Sequence, residues 1–323
     1  MTSVNVALWR VNSVQLPNGT PQSKLKSLSD QIDVAFKGKP AVDLRIFVVA
    51  EFYFMNCNGG ESGIRWYTND EKNAVVTQLQ ALSKNYGGIL LVGGTICWAE
   101  TKKKWKLKKK KHWYVYNEAP VIYNGITLNM YGKHLGGGEV SASDNLRLYK
   151  ARRGAIDRTI NVRSAQDNPD GTARYEQQVR NDPLDSIHSM KGQKIKQGTL
   201  AVAPGVDTAY ERYEDRIHFK PGSTSGAFKL NDLNLTGGVE VCQEHNQAVL
   251  KTTMAQAGNL HILTANSVSY NAASVHLADP GLFIHCDPLE KARAVINNGG
   301  VTDVADTAWD DCNGSLAQAS LNF

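Results

Sequence analysis

The chain has 323 residues with 41% hydrophobic side chains, room for one large core or two ordinary ones, and no stretch nears the roughly 20 consecutive apolar residues that a membrane span needs. Its 36 Lys and Arg against 31 Asp and Glu give +5, yet eight of the Lys fall between Lys102 and Lys111, and the other 28 leave the remainder at −3. That concentration argues against a general nucleic-acid face, and five Cys at scattered positions, an odd number, argue against a disulfide framework and point to a reducing, cytoplasmic setting.

The apolar run through Val6, Leu8 and Val11 reads as a first strand. Leu25, Leu28, Ile32 and Phe36 then recur at helical spacing, predicting a helix from about Pro21 to Phe36. Ile46 to Ala50 is nearly continuous in apolar residues and predicts a strand covered on both faces. A second helix carries Val75, Val76, Leu79 and Leu82, with Asp70 as its cap and Gly87 as its stop, and Ile89 to Ala99 comes next as a buried strand. Asn124-Gly125 between two strand-like runs, Trp113 to Tyr123 and Ile126 to Gly132, predicts a hairpin with a type I′ turn. Residues from 140 to about 218 are polar and read as an insertion with short elements. Strong signals return as a strand from Leu233 to Cys242, a helix from Asn246 to Ala257, a strand from His261 to Val268, and a strand pair across Ser274 to Cys286 broken by Asp279-Pro280-Gly281. The expected division is a domain over 1–300 and a polar C-terminal tail over 301–323. Interleaved strands and helices around a hairpin imply a layered α/β fold with a mixed sheet.

Three residue types sit where chemistry needs them. Glu51 ends the apolar run from Ile46, a costly place for a carboxylate without a partner or a function. Lys133 closes the second hairpin strand. Cys242 ends a strand and precedes the predicted helix, whose dipole would favour its thiolate and whose first N–H groups could receive an oxyanion.

The order of a strand-end Glu51, a Lys133 in Gly-Lys-His-Leu and a Cys242 in Gly-Val-Glu-Val-Cys-Gln-Glu-His resembles the nitrilase superfamily of carbon–nitrogen hydrolases. The flanking Leu91-Val92-Gly93-Gly94-Thr95, Asn117-Glu118-Ala119-Pro120 and Phe219-Lys220-Pro221-Gly222 agree with that family's pattern. The resemblance implies a four-layer α-β-β-α sandwich with mixed sheets, a Cys242 nucleophile, Glu51 as general base, and Lys133 with the Gln243 backbone N–H on the oxyanion. It also implies Glu139 as the second glutamate, a small amide or nitrile substrate, no cofactor, and a homodimer or larger assembly. The 109 residues between Lys133 and Cys242 exceed the family's usual gap, and Glu139 comes after Lys133 more closely than usual.

Several other residues invite a functional reading. His245, next to the nucleophile, suggests a Cys–His pair, but neighbours at a helix start seldom face each other. The eight His lack metal-binding spacing. The Lys102 to Lys111 run reads as a solvated hairpin tip, or as the anion-binding patch of a catalytically silent oligomeric scaffold. Arg147, Arg152, Arg153, Arg158 and Arg163 make the insertion a candidate lid over the pocket, suited to an acidic or phosphate-bearing substrate, or else a surface buried by a partner subunit, or a solvated loop that happens to be basic. Lys133→Ala is expected to abolish turnover with the fold intact.

Overall fold

The computed structural model describes residues 2–11, 20–55, 66–102, 112–135, 158–163, 175–180, 208–211, 216–222, 225–312 and 315–323. Glu139, the run of Lys beyond Lys102 and most of the insertion lie outside them. The elements are β1 (Ser3–Trp9), α1 (Pro21–Phe36), β2 (Leu44–Val49), α2 (Asn69–Asn85), β3 (Ile89–Val92), β4 (Ile96–Lys102), β5 (His112–Tyr123), β6 (Ile126–Gly132), β7 (Arg158–Arg163), β8 (Tyr175–Arg180), β9 (Thr208–Glu211) and β10 (Arg216–Phe219). Then come β11 (Ala227–Leu230), β12 (Leu235–Val241), a 3-10 turn over Cys242–Gln247, α3 (Val249–Thr253), β13 (Gly258–Thr264), β14 (Leu277–Cys286), β15 (Arg293–Asn297), β16 (Val301–Asp303), β17 (Asp310–Cys312) and β18 (Leu316–Asn322).

Both long helices start where side chains can satisfy the first N–H groups. Thr20 accepts from Ser23 N at 3.2 Å with Pro21 as the first helical residue. The cap of α2 is Thr68, two residues before the expected Asp70: its Oγ1 accepts from Glu71 N at 3.2 Å while Glu71 accepts from Thr68 N at 2.7 Å. Asn124 and Gly125 both have positive φ, 48° and 81°, as a type I′ turn requires.

Among the described residues the larger sheet runs β17-β18-β1-β2-β3-β5-β10-β9, with β4 and β6 also on β5; the second runs β11-β12-β13-β14-β15-β16. Both are mixed: β1, β2 and β3 are parallel, as are β12, β13 and β14, and their other pairings include antiparallel ones. The alternation of β1 and β2 assigns each residue to a layer. Val4, Val6, Leu8, Ile46 and Val48 join Val239, Val241, Ile262 and Ile284 in one core between the sheets. Ala7, Trp9, Phe47 and Val49 face the other way, against Leu28, Ile32, Phe36, Val75 and Leu79 of α1 and α2. On the far side of the second sheet Leu250 of α3 fills the space over Gly238, where a Cβ would stand 2.7 Å from its methyls. The expected α-β-β-α order is present, with a thin fourth layer.

Four expectations need correcting. The tail over 301–323 is part of the fold: β18 lies between β17 and β1, and Leu316, Ala317, Ala319, Leu321 and Phe323 are buried. Small alanines and interspersed polar residues hide a strand whose packing partners lie some 300 residues away. Second, the expected helix over 246–257 contracts to the five residues of α3 after a 3-10 turn. Third, Ile89 to Ala99 divides into β3 and β4 at Gly94. Fourth, Asp279-Pro280-Gly281 does not split a strand pair but lies within β14, whose pairing with β13 jumps from Leu277 to Leu282. In addition, β9 and β10 at the end of the insertion join the larger sheet, β10 parallel to β5.

Gly94 shapes the turn that carries Glu51. Its φ is +77°, and a Cβ there would stand 2.6 Å from the Ala50 carbonyl oxygen, one residue before Glu51. Gly88 has a similar φ of +68° and open space around it. Gly88→Ala should cost about 1–2 kcal/mol for the left-handed backbone alone. Gly94→Ala should cost clearly more in a urea titration, because the backbone around Glu51 must also move. Equal losses would show that the close approach carries no strain.

Candidate active site

Glu51 comes after β2 through Ala50, held by two cross-links: Ala50 N donates to Trp9 O, and Glu51 N donates across to Ala265 O beyond β13, each at 3.2 Å. The chain then reverses through Phe52 at φ 63°, whose N–H donates to Thr95 Oγ1 at 2.9 Å. Lys24 of α1, 2% exposed, steadies this reversal by donating to the carbonyls of Tyr53 and Met55 at 2.6 Å. The result is a carboxylate at a strand end with almost no water contact.

Lys133 emerges from β6 with its N–H on Asn117 O at 2.9 Å and its carbonyl receiving Gly222 N at 2.8 Å. Gly222 passes so close to Gly132 that a Cβ would stand 1.9 Å from that carbonyl oxygen, which accounts for glycine there. The Lys133 ammonium donates to Glu51 Oε1 at 2.7 Å, with both side chains 1% exposed or less. Lys133 is thus buried and paired, not turned to solvent at the hairpin edge. Asn117 of β5 adds a second donor, Nδ2 to the same Oε1 at 3.0 Å.

Cys242 arrives from the other sheet. It is the first residue after β12 and has φ 56°, a left-handed conformation that non-glycine residues avoid and that recurs at strained functional turns. Its thiol donates to Asn266 O at 3.7 Å and lies close enough to Glu51 and Lys133 for both charges to act on it. Burial pushes the thiol well above its ordinary value; the Glu51 charge adds to the rise and Lys133 opposes it. The expected stabilisation of a thiolate by a helix dipole is therefore not found, since the residues after Cys242 form a 3-10 turn and α3 starts seven residues on. Glu51, Lys133 and Cys242, from sequence positions 51, 133 and 242, meet in one buried cluster. Gln243 comes directly after the thiol.

Sequence reasoning misses Glu244. It is fully buried, and its carboxylate accepts from Tyr131 Oη and Val241 N, both at 2.8 Å, and from His134 N. Burial pushes its carboxyl up to about 7 against the pull of those donors and of Lys133. The one local signal for it is a Glu three residues beyond Val241, the spacing of a capping box whose reciprocal half is formed here.

His245 turns away from the thiol into a second buried cluster. Its Nδ1 donates to Glu240 Oε1 at 2.6 Å, and His261 Nε2 donates to the same oxygen at 2.8 Å. Their ligand-type atoms lie within 4.8 Å of one another, close enough to invite a metal. The remaining ring nitrogens decide against it: His245 Nε2 accepts from Asn271 N and His261 Nδ1 from His276 N, each at 3.1 Å. Each neutral ring must then carry its one proton toward Glu240, where a metal would need a lone pair. The residues do not fit an ion. Burial pushes the Glu240 carboxyl up, but the two imidazole donors outweigh it and hold it down at about 2. Dialysis against EDTA should leave the melting temperature within about 1 °C of its starting value, since this cluster holds no ion to contribute stability. A larger fall, restored by zinc, would reverse the assignment.

A cleft of about 470 Å³ bordered by Asn5, Phe36, Pro40 and Gln318 includes none of the Glu51 cluster. No helix among the described residues is long and apolar enough to cross a membrane.

No protein-family model matches the chain, and no curated protein sequence does. Among solved structures the chain is similar to Nit3 of Saccharomyces cerevisiae, a member of branch 10 of the nitrilase superfamily, at 13% identity and TM-score 0.48 over 99% of this chain and 90% of that one. It is similar to an amidase from Nesterenkonia sp. at 11% identity and TM-score 0.44, covering 99% and 90%. A glutamine-dependent NAD(+) synthetase from Cytophaga hutchinsonii matches at 9% identity and TM-score 0.43 over 99% of this chain and 42% of that chain.

Proposed function

We propose that the chain is a distant member of the nitrilase superfamily that hydrolyses a non-peptide C–N bond, an amide ahead of a nitrile, through an acyl-enzyme on Cys242. The observation that carries this reading is the 2.7 Å contact of Lys133 with Glu51 in a cluster that also holds the Cys242 thiol. A carboxylate, a cation and a thiol brought together from separate segments and sealed from water have the three capacities that acyl transfer needs.

In the proposed cycle Glu51 takes the thiol proton as sulfur forms its bond to the amide carbon, and the carbonyl π pair moves onto oxygen. Lys133 and the Gln243 N–H stabilise that oxyanion. Collapse breaks the C–N bond, and the departing nitrogen leaves with the proton from Glu51. Water then attacks the thioester, giving a proton to Glu51; collapse releases the acid, and the sulfur recovers that proton. No cofactor or metal enters the scheme. Glu139, outside the described residues, is the proposed second glutamate of the site. The substrate is a small molecule, and the working form is a cytoplasmic homodimer or larger homo-oligomer.

Intact mass after exposure to a panel of small amides tests the reading. An acyl adduct and released ammonia in the wild-type chain, both lost in Cys242→Ala, are expected. Absence of both across the panel, with Cys242 unreactive toward iodoacetamide, would replace a hydrolase with a scaffold.

A further inference from the structure

Lys133 and Cys242 belong to different sheets, so no strand ladder sets the distance between them. Lys133 hangs from β6 and Cys242 from β12, and side chains bridge those two ends directly. Asn129 supplies one joint, donating to Ser225 O and Ala227 O at 2.9 and 2.8 Å, but it sits four residues back along β6. The joint beside the reacting atoms is Glu244. Its Oε2 takes Tyr131 Oη, two residues before Lys133, and Val241 N, one residue before Cys242. Its Oε1 takes His134 N, one residue after Lys133. Donors on both flanks of Lys133 and one on the near flank of Cys242 thus converge on a single carboxylate.

We propose that Glu244 is a positioning residue, holding the hairpin end that carries Lys133 in register with the elbow that carries Cys242. This rests on the hydrolase reading and adds to it a residue that touches neither substrate nor thiol. The chemistry of the site selects a carboxylate. Three donors, two of them backbone N–H groups that cannot be turned round, need acceptors only, and two oxygens with four lone-pair sites supply them. Gln has one acceptor oxygen and an NH₂ group, so at least one donor would face another donor. Asp would fall short of one of the two sheets by a methylene. The consequence expected of a failed joint is a shift of Lys133 relative to the carbon under attack. Such displacements of about 1 Å cost on the order of 10²-fold in rate.

The test uses p-nitrophenyl acetate, an activated acyl donor that does not require the true substrate. Its attack forms the Cys242 S–C bond and breaks the ester C–O bond; p-nitrophenolate leaves, and the thiol proton stays on Glu51. Glu244→Gln should lower kcat on the order of 10²-fold with KM within about threefold of wild type, because the interaction lost acts on the oxyanion. Alkylation of Cys242 by iodoacetamide, which builds no oxyanion, should stay within about fivefold of wild type. Tyr131→Phe removes one donor without leaving a clash, and should lower kcat by about three- to tenfold at unchanged KM. If Glu244→Gln does not fold, Tyr131→Phe decides alone. A kcat within about twofold of wild type in the folded variants overturns the proposal. So does a parallel loss of acylation, alkylation and melting temperature, which would mark Glu244 as structural only. A wild-type chain that forms no acetyl thioester on Cys242 fails the hydrolase reading itself, and the positioning role falls with it.

Discussion

Replacing Lys133 with Met is expected to abolish turnover and, at the same time, to cost the fold about 3–5 kcal/mol. The two losses have different origins. Turnover fails because the oxyanion loses its cation, an effect felt in kcat. Stability falls because Glu51, sealed against water and 2.7 Å from the ammonium it has lost, becomes a buried charge with weaker compensation. Asn117 still donates to it, but one amide does not replace a cation. The structure therefore changes the expectation that removal of Lys133 would spare the fold. Glu51→Leu combined with Lys133→Met should recover most of the lost stability, since apolar replacement of a whole buried pair is often neutral, while turnover stays absent. Urea unfolding of the four proteins gives the cycle. Additive stability losses would mean the two groups are not coupled.

The second large effect concerns the resting thiol. Burial and the Glu51 charge both disfavour the Cys242 thiolate, so its pKa is raised and little thiolate exists at neutral pH. Alkylation by iodoacetamide should rise about tenfold per pH unit, on the order of 10²-fold between pH 7 and 9, without levelling near neutrality. Peptide mass analysis separates this from Cys286, whose own thiol burial holds well above the usual range. A plateau below pH 7 would mean a stored thiolate, the outcome a helix dipole would have produced. Within the proposed cycle the raised value makes Glu51 indispensable, because the proton must leave as the S–C bond forms.

What can be read in the amino-acid sequence depends on how local its cause is. Leu28, Ile32 and Phe36 lie one helical turn apart, so α1 is legible to its ends, and Asn124-Gly125 carries its turn type within two residues. Glu51, Lys133 and Cys242 are legible because each sits at the end of a strand, a local pattern, and because their order resembles a known family. The 2.7 Å meeting of Lys133 with Glu51 cannot be read, since it depends on segments 82 residues apart sharing one sheet, and the arrival of Cys242 depends on that sheet packing against a second. Glu244 escapes for the same reason: its partners Tyr131 and His134 are 113 and 110 residues away. The helix after Cys242 is shorter than its apolar spacing implies, because periodicity does not contain the backbone terms that end it. Ala248 has φ 51° between the 3-10 turn and α3, breaking what looks like one helix. β18 is hidden because alanines carry little strand signal until β1 lies beside them.

That last pairing has a consequence for how the protein is made. Ser3 lies opposite Asn322 and Trp9 opposite Leu316, and Thr2 and Phe323 exchange backbone hydrogen bonds at 2.7 and 3.2 Å. During synthesis β1 therefore leaves the ribosome with one edge unclosed, and its partner emerges only after some 300 further residues. At translation rates of about 5–20 residues per second, that interval is roughly 15–60 s. Throughout it an apolar strand containing Val4, Val6 and Leu8 offers unpaired backbone groups to any neighbouring chain. The nascent protein should accordingly depend on chaperone cover for longer than its size alone implies, and ribosomes stalled before residue 316 should display an aggregation-prone intermediate.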